Sequence, residues 1–117
     1  MILITNREES ATLVLHMSIM RADFRSLLKR QYKGKKGEYL KAYDYVKKEC
    51  EDHLKDELEH FKELHLNIVD LEVLTAFISA YLDKLKSVLA EAKADDTDAQ
   101  VFILTNVQKR CWDLLAA

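Results

Sequence analysis

The chain has 117 residues, of which 49% are hydrophobic and 32% charged, and its 18 bases and 20 acids give a formal net charge of −2. This composition predicts one small domain that needs neither disulfides nor metals, and its charge balance argues against a generic nucleic-acid binder or a polybasic membrane protein. The chain has no proline and only two glycines, Gly34 and Gly37. That favours long helices and excludes glycine-rich phosphate loops and dinucleotide-binding turns.

The first predicted helix covers residues 6–33. Thr5 with Glu8, and Asn6 with Glu9, both have the spacing of a capping box, which satisfies free N–H groups in the first turn of a helix. Bases at the end of this segment complement the negative end of the helix dipole, and Gly34 can provide a left-handed stop. Apolar residues at intervals of three and four form one stripe along it: Leu13, Met17, Met20, Phe24, Leu27 and Leu28.

Three more helices are predicted over residues 38–66, 70–94 and 97–116, each with an apolar stripe of helical period. Asn67 and Asp70 can cap the third helix, and Thr97 with Gln100 has the capping-box spacing at the start of the fourth. The predicted fold is therefore all-α, an antiparallel four-helix bundle that forms one helical domain over residues 1–117.

An alternative remains for the middle of the chain. Nothing between Phe61 and Leu85 forces a break, and apolar residues keep a heptad-like spacing across the proposed turn. A single helix over 38–94 would be about 85 Å long at 1.5 Å per residue. It could bury its stripe only in a dimeric helical assembly.

A metal site is one hypothesis for the second helix. His53, Glu57 and His60 are spaced to share one helical face, and Glu57-x-x-His60 is the spacing by which some helical bundles present a carboxylate and an imidazole to a metal pair. The chain has no second Glu-x-x-His, so a hydrogen-bonded cluster is favoured over a metal site, and no cofactor is expected.

A basic segment lies between the first two helices. Its members are Lys29, Arg30, Lys33, Lys35 and Lys36, and tyrosines flank it. Basic and aromatic residues of this kind are typical of surfaces that contact phosphate groups. Helix C-termini and antiparallel neighbours favour such bases in any case, so nucleic-acid binding is the alternative and not the favoured function.

Apolar residues also lie off the main stripes of the two terminal helices, which are neighbours in an up-down bundle. This surplus predicts an interface with another protein or with a second copy. We interpret Trp112 as a core anchor, or as an interface residue if its helix docks on a partner. The predicted interface comprises Val14, Leu15, Ile19, Phe102, Ile103, Leu114 and Trp112.

The function that the sequence favours is protein binding, as an adaptor, regulator or inhibitor, with a homodimer expected. No catalytic motif is present, and Cys50 and Cys111 fall on apolar stripes, where buried thiols are inert. The apolar start from Met1 to Ile4 is soon followed by charged residues, unlike a signal peptide. We therefore expect a cytoplasmic protein that is not an enzyme and has no membrane segment.

Overall fold

A computed structural model of the chain describes the backbone of residues 1–92 and 96–117, and their side chains except those of 88–90, 92 and 96–98. The structure is mostly helical with one small sheet, and the helices follow the scarcity of proline and glycine. Its elements in chain order are β1 (Ile2–Asn6), α1 (Arg7–Ile19), α2 (Arg21–Gln31), α3 (Lys36–Lys55), β2 (Phe61–His65), α4 (Ile68–Ala92) and α5 (Asp96–Ala116).

Four of the helices contact one another in a closed cycle: α1 packs on α3, α3 on α4, α4 on α5 and α5 on α1. The contacts of α1 set its direction relative to α5, because Glu9 pairs with Arg110 while His16 bonds Gln100. The early part of α1 thus meets the late part of α5, and the two helices are antiparallel.

Aromatic rings hold α2 in place. Phe24 of α2 stacks on Tyr43 of α3 with ring centroids 5.1 Å apart, and meets Phe77 of α4 edge-on at 5.5 Å. Tyr43 and Phe77 also meet edge-on, at 5.4 Å. Offset and edge-on ring pairs are the favoured arrangements of aromatic side chains, so this trio joins three helices at the centre of the core.

The predicted helix over 6–33 is divided into α1 and α2. The break is at Met20 (φ −95°, ψ 5°), although Met20 N–H still donates to the His16 carbonyl at 2.9 Å. The chain therefore bends at this residue and does not unwind. Of the two capping boxes, the one that forms is Asn6 with Glu9, with bonds of 2.8 and 2.9 Å, whereas Thr5 belongs to β1.

The predicted helix over 38–66 is wrong beyond residue 55, and so is the continuous helix over 38–94. The last carbonyls of a helix have no N–H partner within the helix. At the end of α3 the guanidinium of Arg7 donates hydrogen bonds to such carbonyls. Arg7 donates to the carbonyls of His53 (3.2 Å) and Leu54 (3.1 Å), and beyond the helix to those of Asp56 (2.7 Å) and Glu59 (2.9 Å).

The chain then returns along α3 as β2, which pairs antiparallel with β1. Leu3 faces Leu64 in this register and both side chains are buried, while Ile2 and Ile4 point outward and are exposed. Both open edges are partly covered, because Arg110 donates to the Ile4 carbonyl and the Tyr45 hydroxyl to the His65 carbonyl (2.9 Å). Neither strand was predicted from the sequence.

The start of α4 confirms the predicted caps. Asp70 N–H donates to Asn67 Oδ1 at 2.8 Å, and Asn67 N–H donates to Asp70 Oδ2 at 3.0 Å. The predicted end of this helix at residue 94 and the side chain of Thr97 lie outside the described residues. Within the described part of the chain, no helix is long and apolar enough to cross a membrane.

Candidate functional site

Apolar side chains are exposed on the outer sides of α1 and α5. Leu15 and Ile19 lie one turn apart on α1, and Ile19 is 65% exposed; Phe102 on α5 is 68% exposed. Ile103 is partly buried, as are Val14 and Leu114, which pack against the core. We use the name α1–α5 surface for the four residues that do not pack there: Leu15, Ile19, Phe102 and Ile103.

Two polar contacts join the helices that carry this surface. The Glu9–Arg110 ion pair lies at one end, and at the other His16 Nε2 is 2.5 Å from Gln100 Oε1, so the imidazole donates. The His16 ring also lies 4.4 Å from that of Tyr81. Burial lowers the pKa of His16, and the Gln100 bond opposes this only in part, so the neutral imidazole is favoured near pH 7.

Trp112 does not belong to the α1–α5 surface. It lies in a separate cleft of about 390 Å³, where α5 meets α4 and the start of α3. Its neighbours there include Tyr32, Tyr39 and Glu72, and the indole is 53% exposed. Trp112, interpreted from the sequence as a core anchor or an interface residue, is therefore not a core anchor, and it lies apart from the other predicted interface residues.

The predicted metal ligands are not brought together on one helical face, because α3 ends at Lys55 and both Glu57 and His60 lie exposed beyond it. His53 is buried: its Nε2 donates to the Glu59 carbonyl (2.9 Å), and its Nδ1 accepts from the Ser10 hydroxyl (2.7 Å). Both ring nitrogens are thus engaged. Among the described side chains, no group of three or more His, Cys, Asp or Glu could hold a metal ion.

The Ser10–His53 pair has the spacing of an activated nucleophile and its base. Both residues are completely buried, however, and Ser10 Oγ also lies 2.9 Å from the hydroxyl of Thr5. A substrate could not reach the serine without opening α1 from α3. The pair therefore holds β1, α1 and α3 together as a structural hydrogen-bond chain.

The basic segment borders a groove of about 540 Å³ beside α2. Arg21, Arg25 and Lys29 line it at intervals of four residues, Lys36 joins them from α3, and no acid among the described side chains lines it. Arg21 is held by Asp44 through bonds of 2.9 and 2.8 Å. Of the predicted patch, Lys29 and Lys36 border the groove, whereas Arg30, Lys33 and Lys35 do not line it.

A second groove, of about 480 Å³, lies between α2 and α4. Its floor is apolar and includes Phe24, Leu27 and Tyr81, and an ion pair of 3.1 Å joins Lys84 to Asp23 at its rim. The predicted helix over 6–33 does not indicate this groove, because the groove needs α2 as a separate wall.

Comparisons of the chain with protein-family models, with curated proteins and with solved structures find no match. A function for this protein is therefore inferred from the chemistry of its own surfaces. Three of these are distinct in character: the apolar α1–α5 surface, the basic groove beside α2, and the aromatic cleft at Trp112.

Proposed function

We propose that this protein is a small helical interaction module, of adaptor, regulatory or inhibitor type, which associates with a second copy through the α1–α5 surface. One observation carries the proposal: Ile19 and Phe102 expose 65% and 68% of their area on two neighbouring helices. A contiguous patch of exposed apolar side chains on adjacent elements is typical of a contact surface. Because the net charge is only −2, two copies of the chain repel each other weakly.

An antiparallel bundle of α1, α3, α4 and α5 is the core that we propose for each copy. The closed cycle of helix contacts supports it, as do the opposed directions of α1 and α5. A two-fold axis beside α1 and α5 would place the same surface of each copy against the other, which is the usual arrangement in homodimers.

A non-catalytic role is part of the proposal. Burial raises the pKa of both Cys50 and Cys111 to about 12, so neither thiol is a ready nucleophile, and Ser10 is enclosed. Two free, buried cysteines also support the cytoplasmic location that we propose.

Lysine substitutions on the α1–α5 surface test the proposal. Native mass spectrometry should show dimers for the wild type and monomers for Ile19→Lys and Phe102→Lys, with helicity unchanged by circular dichroism. Leu58→Lys is the matched control, because Leu58 is 89% exposed but lies between α3 and β2. The proposal fails if Ile19→Lys and Phe102→Lys remain dimeric, or if they lose their helicity.

Nucleic-acid binding is the second candidate, and the basic groove is the observation that favours it. Arg25, Lys29 and Lys36 form no ion pair with the described side chains, and they line the same groove. Replacing all three by glutamine should weaken binding of a single-stranded oligonucleotide and flatten the salt dependence of the binding that remains. Lys86→Gln, an exposed change on α4, is the control. Binding that is absent in the wild type, or unchanged in the triple variant, would exclude this function.

A further inference from the structure

The cleft at Trp112 is built by aromatic rings from three parts of the chain. Tyr32 caps the end of α2, Tyr39 lies in the first turns of α3, and Trp112 comes from the last turns of α5. The two tyrosine rings lie 5.1 Å apart between centroids and are tilted by 50°. Trp112 pairs with none of the other described rings, and it lines the same cleft of about 390 Å³ with 53% of its area exposed.

Small residues on α4 leave this space open. Thr75, Ala76 and Ser79 line the cleft together with the tyrosine pair and the indole. The cleft is thus shaped by aromatic walls and by short side chains on the helix beneath them.

The charge of the cleft is negative. Glu72 is exposed, and among the described side chains it forms no ion pair. Its polar contact there is with the Tyr39 hydroxyl at 3.4 Å, which is long for an O–H···O bond and leaves the carboxylate able to accept a closer partner. No lysine or arginine lines the cleft among the described residues.

We propose that this cleft binds an alkylammonium cation, either a small trimethylammonium compound or the methylated side chain of a lysine on another protein. The negative faces of tryptophan and tyrosine rings attract such cations, and aromatic rings with a nearby carboxylate are suited to quaternary ammonium groups. A neutral group of the same shape would gain the apolar contact but neither the cation–π attraction nor the attraction of Glu72.

Trp112 makes the proposal directly measurable, because it is the single tryptophan of the chain. Its fluorescence is titrated with choline and, separately, with 3,3-dimethylbutanol, the neutral analogue of the same shape, at constant ionic strength. Choline should change the emission and reach saturation, and the neutral analogue should bind about tenfold more weakly or worse. Equal effects of the two compounds would overturn the proposal. So would the lack of a saturable change with both choline and a trimethyllysine peptide.

Variants at the edge of the cleft locate the site. Glu72→Gln and Tyr32→Leu should each weaken choline binding by about tenfold, since each removes one attractive partner. Phe61→Leu, which removes an exposed ring on β2, should leave it unchanged, and circular dichroism checks that each variant folds. Unchanged binding in both cleft variants would overturn the assignment.

Two peptides separate the sources of the cation. A short peptide with trimethyllysine is titrated beside the same peptide with norleucine, which has an uncharged side chain of similar length. Tighter binding of the trimethyllysine peptide than of choline assigns the site to a protein side chain, and the reverse order assigns it to a small molecule. Either order supports an ammonium site, whereas equal binding of the two peptides, with none of choline, contradicts it.

Discussion

Ser10 of α1 and His53 of α3 form a completely buried hydrogen bond of 2.7 Å between Oγ and Nδ1. The Ser10 hydroxyl donates to the imidazole and accepts from Thr5 of β1, so one small side chain connects three elements. The opposite ring nitrogen of His53 donates to the Glu59 carbonyl and thereby holds the turn that leads into β2.

Removing the Ser10 hydroxyl should therefore destabilise the fold. Ser10→Ala leaves the imidazole Nδ1 and the Thr5 hydroxyl without a partner, and we expect the free energy of unfolding to fall by about 1–3 kcal/mol. Urea denaturation followed by circular dichroism measures the change. Ser18→Ala, on the exposed side of α1, should change it by less than about 0.5 kcal/mol. Equal effects of the two substitutions would contradict this role of Ser10.

Arg7 should act on the end of α3 and on the turn after it. Arg7→Met removes the donor to four carbonyls, and we expect a loss of about 1–3 kcal/mol. Hydrogen exchange should accelerate most in residues 54–65. Arg25→Met, an exposed change on α2, is the control. Uniform acceleration throughout the chain would mean that Arg7 supports global stability and does not cap α3.

These contacts explain why the second predicted helix stops early. Phe61 and Leu64 are three residues apart, a spacing that fits a helical stripe, and nothing local in the sequence opposes a helix there. The strand depends on pairing with β1, which is about sixty residues away, and on Arg7. Such tertiary contacts override the local preference for a helix, and they cannot be deduced from the spacing of apolar residues.

Elements with local signals were predictable. The bonds between Asn6 and Glu9 and between Asn67 and Asp70 are set by neighbouring residues, and α1 and α4 begin where those pairs indicate. The aromatic cleft was not predictable in this way. Glu72 is about forty residues from Tyr32 and from Trp112, and the packing of α4 on both α3 and α5 brings the three together.

His16 should make stability depend on pH. Burial lowers its pKa in the folded protein below the ordinary value of 6.5, so the unfolded chain takes up a proton first as the pH falls. The free energy of unfolding should therefore decline as the pH falls from about 7 through 6.5, and this contribution should level off below the folded pKa. Denaturation across this range would show a steeper decline in the wild type than in His16→Gln.

Ser18→Gln, an exposed change on the same helix, is the control and alters no titratable group. It should keep the pH dependence of the wild type. A wild-type slope that His16→Gln leaves unchanged would show that some other group is responsible for the decline.

The two thiols should be protected in the native state. Burial raises the pKa of Cys50 and Cys111 to about 12, and both side chains are inaccessible, so a disulfide reagent can reach them only through opening of the fold. At pH 8 we expect reaction about 10³-fold slower than in urea. Ser18→Cys should add one thiol that reacts at once. Rapid reaction of the wild-type thiols would contradict the packing around α3 and α5.

Association through the α1–α5 surface is the central claim, and the mass of the wild-type protein in solution tests it most directly. Sedimentation equilibrium over a range of concentrations should give twice the 13.6 kDa mass of the chain, with dissociation only on dilution. A mass of 13.6 kDa at every concentration would contradict the account, because Ile19 and Phe102 would then remain in water without a second copy to cover them.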